Sequence, residues 1–206
     1  MADAEEVSDK VLTIPNVISF IRLCMAPVFF VFLLNGQDFD AAILFAVAAA
    51  TDFLDGLIAR TTHSVSRLGQ LLDPAVDRLL MICAVIGLVV VQRIPLWIVV
   101  LVLFRDGLLL LGQEYLLRVY HERIAVIYPG KFATTFLFVG LAGLMLNMPQ
   151  VAGLGLVDVS WLPGFNMQPC SWGIWFAYLG MLIGVFTTIY YVMQGAKVLK
   201  NGKARS

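Results

Sequence analysis

The chain has 206 residues, 60% of them hydrophobic and only 14% charged, with a mean hydropathy of +0.88. An ordinary soluble domain carries roughly 25% charged residues, so that class is excluded and a single membrane-embedded helical domain over 1–206 is expected. The 14 basic and 14 acidic residues cancel. Net charge therefore says nothing about partners, among which nucleic acid is not expected.

In chain order, residues 1–12 read as a polar cytoplasmic tail. The opening "MADAEEVSDK" is acidic and lacks the positive start and apolar core of a signal peptide. Six apolar segments follow, at about Val17–Leu34, Ala41–Ile58, Pro74–Val91, Leu96–Leu117, Phe132–Asn147 and Trp172–Met193. Each approaches the ~20 residues that cross a hydrocarbon core of ~30 Å. The prediction is an all-α, polytopic integral membrane protein with six transmembrane helices, the short fifth one starting earlier than its apolar run.

The connections punctuate these segments. "NGQDFD" at 35–40 is a polar turn, and "QRIP" at 92–95 ends in a proline whose missing N–H costs nothing at a helix start. The stretch 148–171 is rich in Gly, Pro and aromatics. It reads as an extracytoplasmic interfacial loop with room for a short re-entrant piece. Residues 194–206 form a basic tail. Cys24, Cys83 and Cys170 are odd in number and widely spaced, which supports neither a disulfide framework nor a zinc site.

Lys and Arg set the expected orientation. Lys10 precedes the first span. Arg60, Arg67 and Arg78 surround the second connection, Arg118, Arg123 and Lys131 the fourth, and Lys197, Lys200, Lys203 and Arg205 end the chain. The opposite connections hold only Arg93 among basic residues, beside Asp38, Asp40 and Asp158. Both termini and the 60–73 segment are therefore expected in the cytoplasm. Trp97, Trp161, Trp172 and Trp175 then fall near the outer interface, as belt residues do.

The segment "TDFLDGLIARTTHSVSRLGQLLDPAVDRLL" at 51–80 puts four aspartates at the cytoplasmic edge of this membrane. On a helix, Asp52, Asp55, Gly56 and Ala59 share one stripe, and Gly69, Asp73 and Asp77 another. Pro74 leaves two possibilities open. Either Asp73 caps a helix that begins at Pro74, or the helix begins near Ser66 and contains the proline. An ionised carboxylate in apolar surroundings costs at least ~2.5–3.5 kcal/mol, so converging anions need a positive partner. Arg60, Arg67 and Arg78 are available, but a divalent cation satisfies clustered oxygens better. Gly56 and Ala59 leave room for a ligand's phosphates. The plainer reading is an Asp–Arg network that only locks two helices. That reading competes well for one aspartate and poorly for four with small residues on the same faces.

Asp52-x2-Asp55-Gly56-x2-Ala59-Arg60-x8-Gly69-x3-Asp73-x3-Asp77 carries eight specified positions at fixed spacing. It resembles, without departure, the signature of the CDP-alcohol phosphotransferase family. The opening "IPNVISFIR" and "LLDPAVDR" look like members that make phosphatidylglycerophosphate or cardiolipin. The resemblance implies a six-helix membrane fold, a homodimer, a cavity open to the cytoplasm, and Mg²⁺ or Mn²⁺, two ions in all. It implies CDP-diacylglycerol as donor, a glycerol-type acceptor and release of CMP. Carried over by position, Asp52, Asp55 and Asp73 bind metal. Asp77 is the catalytic base and also a metal ligand. Gly56, Ala59, Arg60 and Gly69 line the donor's nucleotide and diphosphate. The chemistry agrees, because displacement at phosphorus needs charge neutralisation and a placed nucleophile more than covalent help.

The acceptor is less legible. Arg105 and Asp106 sit in the fourth span, where a charged pair is costly and suggestive. Lys131 opens the fifth span in "GKFATTF", and Arg118 lies between. All three cations are candidates for an acceptor phosphate. The plainer readings are an ion pair of Arg105 with a neighbouring helix or a local one with Asp106, and an interfacial anchor at Arg118. Members that use glycerol 3-phosphate carry a second Arg eight residues after the first and a second Lys two after the GK lysine. Gln113 and Ala133 stand there instead. This looks closer to members whose acceptor is phosphatidylglycerol, and both acceptors stay open. A metal-ion or small-solute transporter is the competing class. Its site would lie at the bilayer midplane between repeats, whereas these acids cluster at one face and no repeat is evident.

Overall fold

The computed structural model describes residues 14–62, 67–120 and 128–203, and side chains within 16–51, 75–119 and 128–197. Residues 1–13, with the acidic tail, and Arg123 lie outside the described residues. Within them run α1 (Ile14–Leu34), α2 (Asp38–Thr62), α3 (Arg67–Val90), α4 (Leu96–Tyr120), α5 (Tyr128–Leu146) and α6 (Gly173–Lys203). A two-residue ribbon pairs β1 (Gln150–Val151) antiparallel with β2 (Cys170–Ser171). Four helices are long and apolar enough to cross a membrane: α1, α4, α5 and α6. The fifth helix does start before its apolar run, and α6 continues through the basic segment after 194. The chain divides into two compact units, 1–93 with 142–147, and 94–141 with 148–206.

The first unit is α1, α2, α3 and the end of α5. On α1 a face repeating every three or four residues is buried: Asn16, Ser19, Arg22, Ala26, Phe29 and Leu33. The opposite face exposes Phe20, Ile21, Val28 and Val31. A helix apolar on its outside as well as its inside belongs in lipid. The facing stripe of α2 is Ala41, Phe45 and Ala48, each fully buried. The alanines let the backbones approach, and Phe45 meets Phe29 edge to face at 5.4 Å between centroids. From α3 come Leu80, Ala84, Val85 and Leu88.

The α1–α2 turn is a glycine stop. Gly36 takes φ +74°, Gln37 N–H donates to Phe32 O at 2.9 Å, and Gly36 N–H to Leu33 O at 3.2 Å. These bonds satisfy carbonyls the helix end leaves orphaned. At the end of α3 the same pattern recurs, with Gln92 in the left-handed conformation and Arg93 N–H donating to Leu88 O at 2.8 Å. Arg93 then joins three elements. It grips both carboxylate oxygens of Asp38 at 2.6 Å and donates to Met145 O, 2.5 Å, at the end of α5. The one basic residue of the outer connections is thus a fastener, neutralising Asp38 and binding the carbonyl end of a helix.

The second unit holds α4, α5 to Leu141, the 148–172 connection and α6. Here α5 and α6 touch backbone to backbone. A side-chain carbon at Gly140 would lie 2.5 Å from Ala177 N, and one at Gly180 2.7 Å from Leu137 N. Small residues at such crossings are what let membrane helices associate.

No re-entrant helix forms in 148–171; the stretch folds back on itself instead. Beyond the β1–β2 pair, Leu154 N–H donates to Gly164 O at 2.8 Å and Leu156 N–H to Phe165 O at 2.9 Å. Polar tips of aromatics tie this hairpin to the helices. Trp97 Nε1 donates to Trp161 O at 2.7 Å, Trp172 Nε1 to Met148 O at 3.0 Å, and Tyr178 Oη to Pro163 O at 2.9 Å. Trp97 also stacks on Tyr178 at 6.2 Å. Trp97 and Trp172 therefore hold protein backbone. The cysteines among the described residues are free. Burial pushes the Cys170 thiol up from its ordinary value.

Candidate active site

Positions 52, 55, 56 and 59 fall on the last turns of α2, and 69, 73 and 77 on the first turns of α3. The α3 helix begins at Arg67 and runs through Pro74. Of the two possibilities the proline left open, the helix that contains it is the one formed. Asp73 is thereby an intrahelical position one turn before Asp77, not a cap. The side chains of Asp52, Asp55, Gly56, Ala59, Arg60, Gly69 and Asp73 lie outside the described residues, and Asp77 is the signature carboxylate whose surroundings are seen.

Asp77 meets α1. Arg22 Nη1 donates to Asp77 Oδ1 at 2.9 Å, across 55 residues of sequence. The arginine side chain is completely buried, whereas the aspartate side chain is 39% exposed. Arg22 was not singled out from sequence. The available signal was its isolation: it is the single charge in "IPNVISFIRLCMAPVFFVFLL", and an intramembrane charge is functional by default. Among the described residues no cluster of three metal-ligating side chains occurs. The donor chemistry still fits a hard divalent cation, since the signature offers carboxylate oxygens alone, with neither thiolate nor imidazole.

The acceptor candidates lie in the second unit. Arg105 Nη1 bonds Asp106 Oδ1 at 2.8 Å, with both side chains mostly buried. Its guanidinium lies against Gly184, beside a cavity of about 20 Å³ lined also by Ala133, Leu137 and Gly180. That is room for roughly one water. The local pair is thus the arrangement formed. Arg118 pairs with Glu114 one turn back at 2.6 Å on an exposed surface, and such pairs contribute little. Lys131 Nζ lies 6.0 Å above the Tyr128 ring.

Two positions without cations explain themselves. Ala133 is buried, and its carbonyl would lie 2.9 Å from a side-chain carbon at Gly180. Gln113 borders an apolar groove of about 240 Å³ between α4 and α6, lined by Leu108, Gly112, Leu116, Val192 and Gly195. Lipid-like matter, not a small dianion, suits that groove.

A family model described as CDP-alcohol phosphatidyltransferase matches residues 12–190. A cardiolipin synthase (CMP-forming) of Streptomyces coelicolor is 36% identical over 146 residues, 68% of each chain. A Mycobacterium tuberculosis protein named as a candidate cardiolipin synthase is 34% identical over 194 residues, covering 93% of this chain and 87% of its own. A CDP-diacylglycerol–glycerol-3-phosphate 3-phosphatidyltransferase of Bacillus subtilis is 28% identical over 177 residues, covering 77% of this chain and 91% of its own.

Proposed function

The chain belongs to the CDP-alcohol phosphatidyltransferase family, and from that premise we propose that it is an integral membrane phosphatidyltransferase of the cardiolipin-synthase type. It transfers the phosphatidyl group of CDP-diacylglycerol to a glycerol-type hydroxyl, that of phosphatidylglycerol, and releases CMP. One observation carries the choice of acceptor. Where users of glycerol phosphate place two further cations, this chain has a buried alanine, Ala133, and an apolar groove at Gln113. A small dianion depends on several cations. A phosphodiester lipid needs fewer and is also held by its acyl chains.

The reaction forms a bond from the acceptor oxygen to the phosphatidyl phosphorus and breaks the bond to CMP. The hydroxyl proton passes to Asp77, a carboxylate half open to its surroundings and suited to general-base work at hydrogen-bond reach. A divalent metal, on which the family depends, would when bound supply charge neutralisation for the diphosphate. Asp52, Asp55, Asp73 and Asp77 are its proposed ligands, for two ions of Mg²⁺ or Mn²⁺. Gly56, Ala59, Arg60 and Gly69 receive the donor. Arg105, Lys131 and Arg118 are the acceptor-side cations, Lys131 and Arg118 exposed and Arg105 mostly buried. The proposal includes α2 and α3 as the remaining two spans of one membrane domain, and a homodimer.

Purified protein given CDP-diacylglycerol with each acceptor separately tests this reading. Cardiolipin, identified by mass, is the expected product. Phosphatidylglycerophosphate as the sole product would overturn the choice of acceptor and leave the transferase chemistry standing. Failure of CMP release with every glycerol-type acceptor would overturn both.

Orientation follows from the Lys and Arg distribution. Both termini and the α2–α3 connection are placed in the cytoplasm. A cysteine at position 67 is expected to resist a membrane-impermeant maleimide in intact cells and to react after permeabilisation. Labelling in intact cells would reverse the topology.

A further inference from the structure

We propose that Arg22 is a positioning residue for the transfer reaction, holding the Asp77 carboxylate in its working orientation from the neighbouring helix. This inference rests on the transferase reading. It starts from α1, whose buried face is polar for its first two turns, with Asn16, Ser19 and Arg22, and apolar beyond, with Ala26 and Phe29. Had packing alone been at stake, the apolar half shows what this face would contain. A charge in a span is costly to keep, and this one is fully buried.

The asymmetry of the pair separates two roles. A bridge that only locks α1 to α3 gains by burying both partners. Here the guanidinium is 0% exposed and the carboxylate side chain 39% exposed. The arginine is sequestered behind the aspartate, which faces accessible space as a group meeting a substrate must. A bond from Nη1 to Oδ1 at 2.9 Å anchors one oxygen of the carboxylate and limits the orientations open to the second. The planar, permanently charged guanidinium is suited to this, because its donors are held in a rigid fork. Outer partners that orient reacting or metal-binding groups commonly matter by ~10–100-fold in affinity or activity.

Arg22→Gln is therefore expected to lower kcat by ~10–100-fold with KM for CDP-diacylglycerol within about twofold, since the donor is not the group displaced. Arg22→Lys, which keeps the charge, should recover part of the loss. A second readout does not involve turnover: Mn²⁺ bound by the purified protein, followed by electron paramagnetic resonance of the free ion. Loss of a neighbouring positive charge would by Coulomb's law tighten cation binding, whereas loss of positioning weakens it. Weaker Mn²⁺ binding in Arg22→Gln is the expected result. A folded Arg22→Gln with wild-type kcat, or with unchanged or tighter Mn²⁺ binding, would overturn the proposal. If the Gln variant does not fold, Arg22→Lys carries the test. Reduced kcat at unchanged KM supports positioning, and wild-type kcat overturns it. Should the wild-type protein itself release no CMP, the transferase reading falls, while the Mn²⁺ measurement still decides whether Arg22 organises Asp77.

Discussion

Asp55→Asn is expected to lower CMP release by at least ~10²-fold at saturating Mg²⁺, equivalent to about 2.7 kcal/mol of transition-state stabilisation. The substitution keeps the size of the side chain and removes one negative charge. Position 55 lies on the helical stripe of α2 that also carries 52, 56 and 59. If these carboxylates hold the ions that neutralise the donor's diphosphate, several kcal/mol of charge stabilisation pass through each ligand. Folding should survive, because an amide matches a carboxylate in size and relieves repulsion among neighbouring anions. The check is turnover alongside the elution profile and melting temperature of the detergent-solubilised protein. Near-normal turnover in a well-folded variant would remove Asp55 from the metal site. A misfolded variant would instead favour the plainer reading, a network that locks helices.

Gly140→Ala is expected to destabilise the second unit by about 1–3 kcal/mol through overpacking. Ordinarily glycine-to-alanine within a helix stabilises by up to ~1 kcal/mol. At Gly140 the added carbon would lie 2.5 Å from Ala177 N and 2.9 Å from Gly173 O, both backbone atoms that no rotamer change can move. The α6 helix must shift as a body. For a chain of this size ~2–4 °C accompanies each kcal/mol, so the melting temperature should fall by roughly 2–12 °C. Gly107→Ala is the control, since a carbon there meets nothing within 4 Å and helix propensity alone should act. Equal melting temperatures for the two variants would show that α5 and α6 do not cross as closely as described. Combining Gly140→Ala with Gly180→Ala should cost more than either alone.

The two experiments probe different kinds of information in the chain. Asp55 was legible because a helical stripe is a local property: spacing of three and four residues places side chains on one face whatever the rest of the fold does. The family resemblance then named the chemistry, and with it the transporter alternative lost its ground. Gly140 was not legible. Nothing in its local sequence marks it, and only the approach of α6 gives it its role. Arg93 is a similar case. In sequence it was a minority charge that helped set orientation, and its fork onto Asp38 and Met145 O became visible only when residues about fifty apart met. The expected re-entrant piece failed for a related reason. Gly and Pro in 148–171 marked an irregular path, but the carbonyls that fix it are bound by Trp97 from α4, Tyr178 from α6 and Trp172 just before α6.

By itself, the sequence determined the membrane class, the existence and order of the helices, and the aspartate stripes that carry the proposed chemistry. All of these follow from hydropathy and helical periodicity, which act over twenty residues or fewer. Tertiary structure decided that α3 runs unbroken through Pro74, that Arg105 and Arg118 are engaged by their own helix neighbours, that Ala133 is buried, and that Arg22 meets Asp77 across 55 residues. Each of these depends on which helix face meets which. That is settled by the packing of small residues and the pairing of buried charge between segments far apart in the chain, for which no local pattern exists.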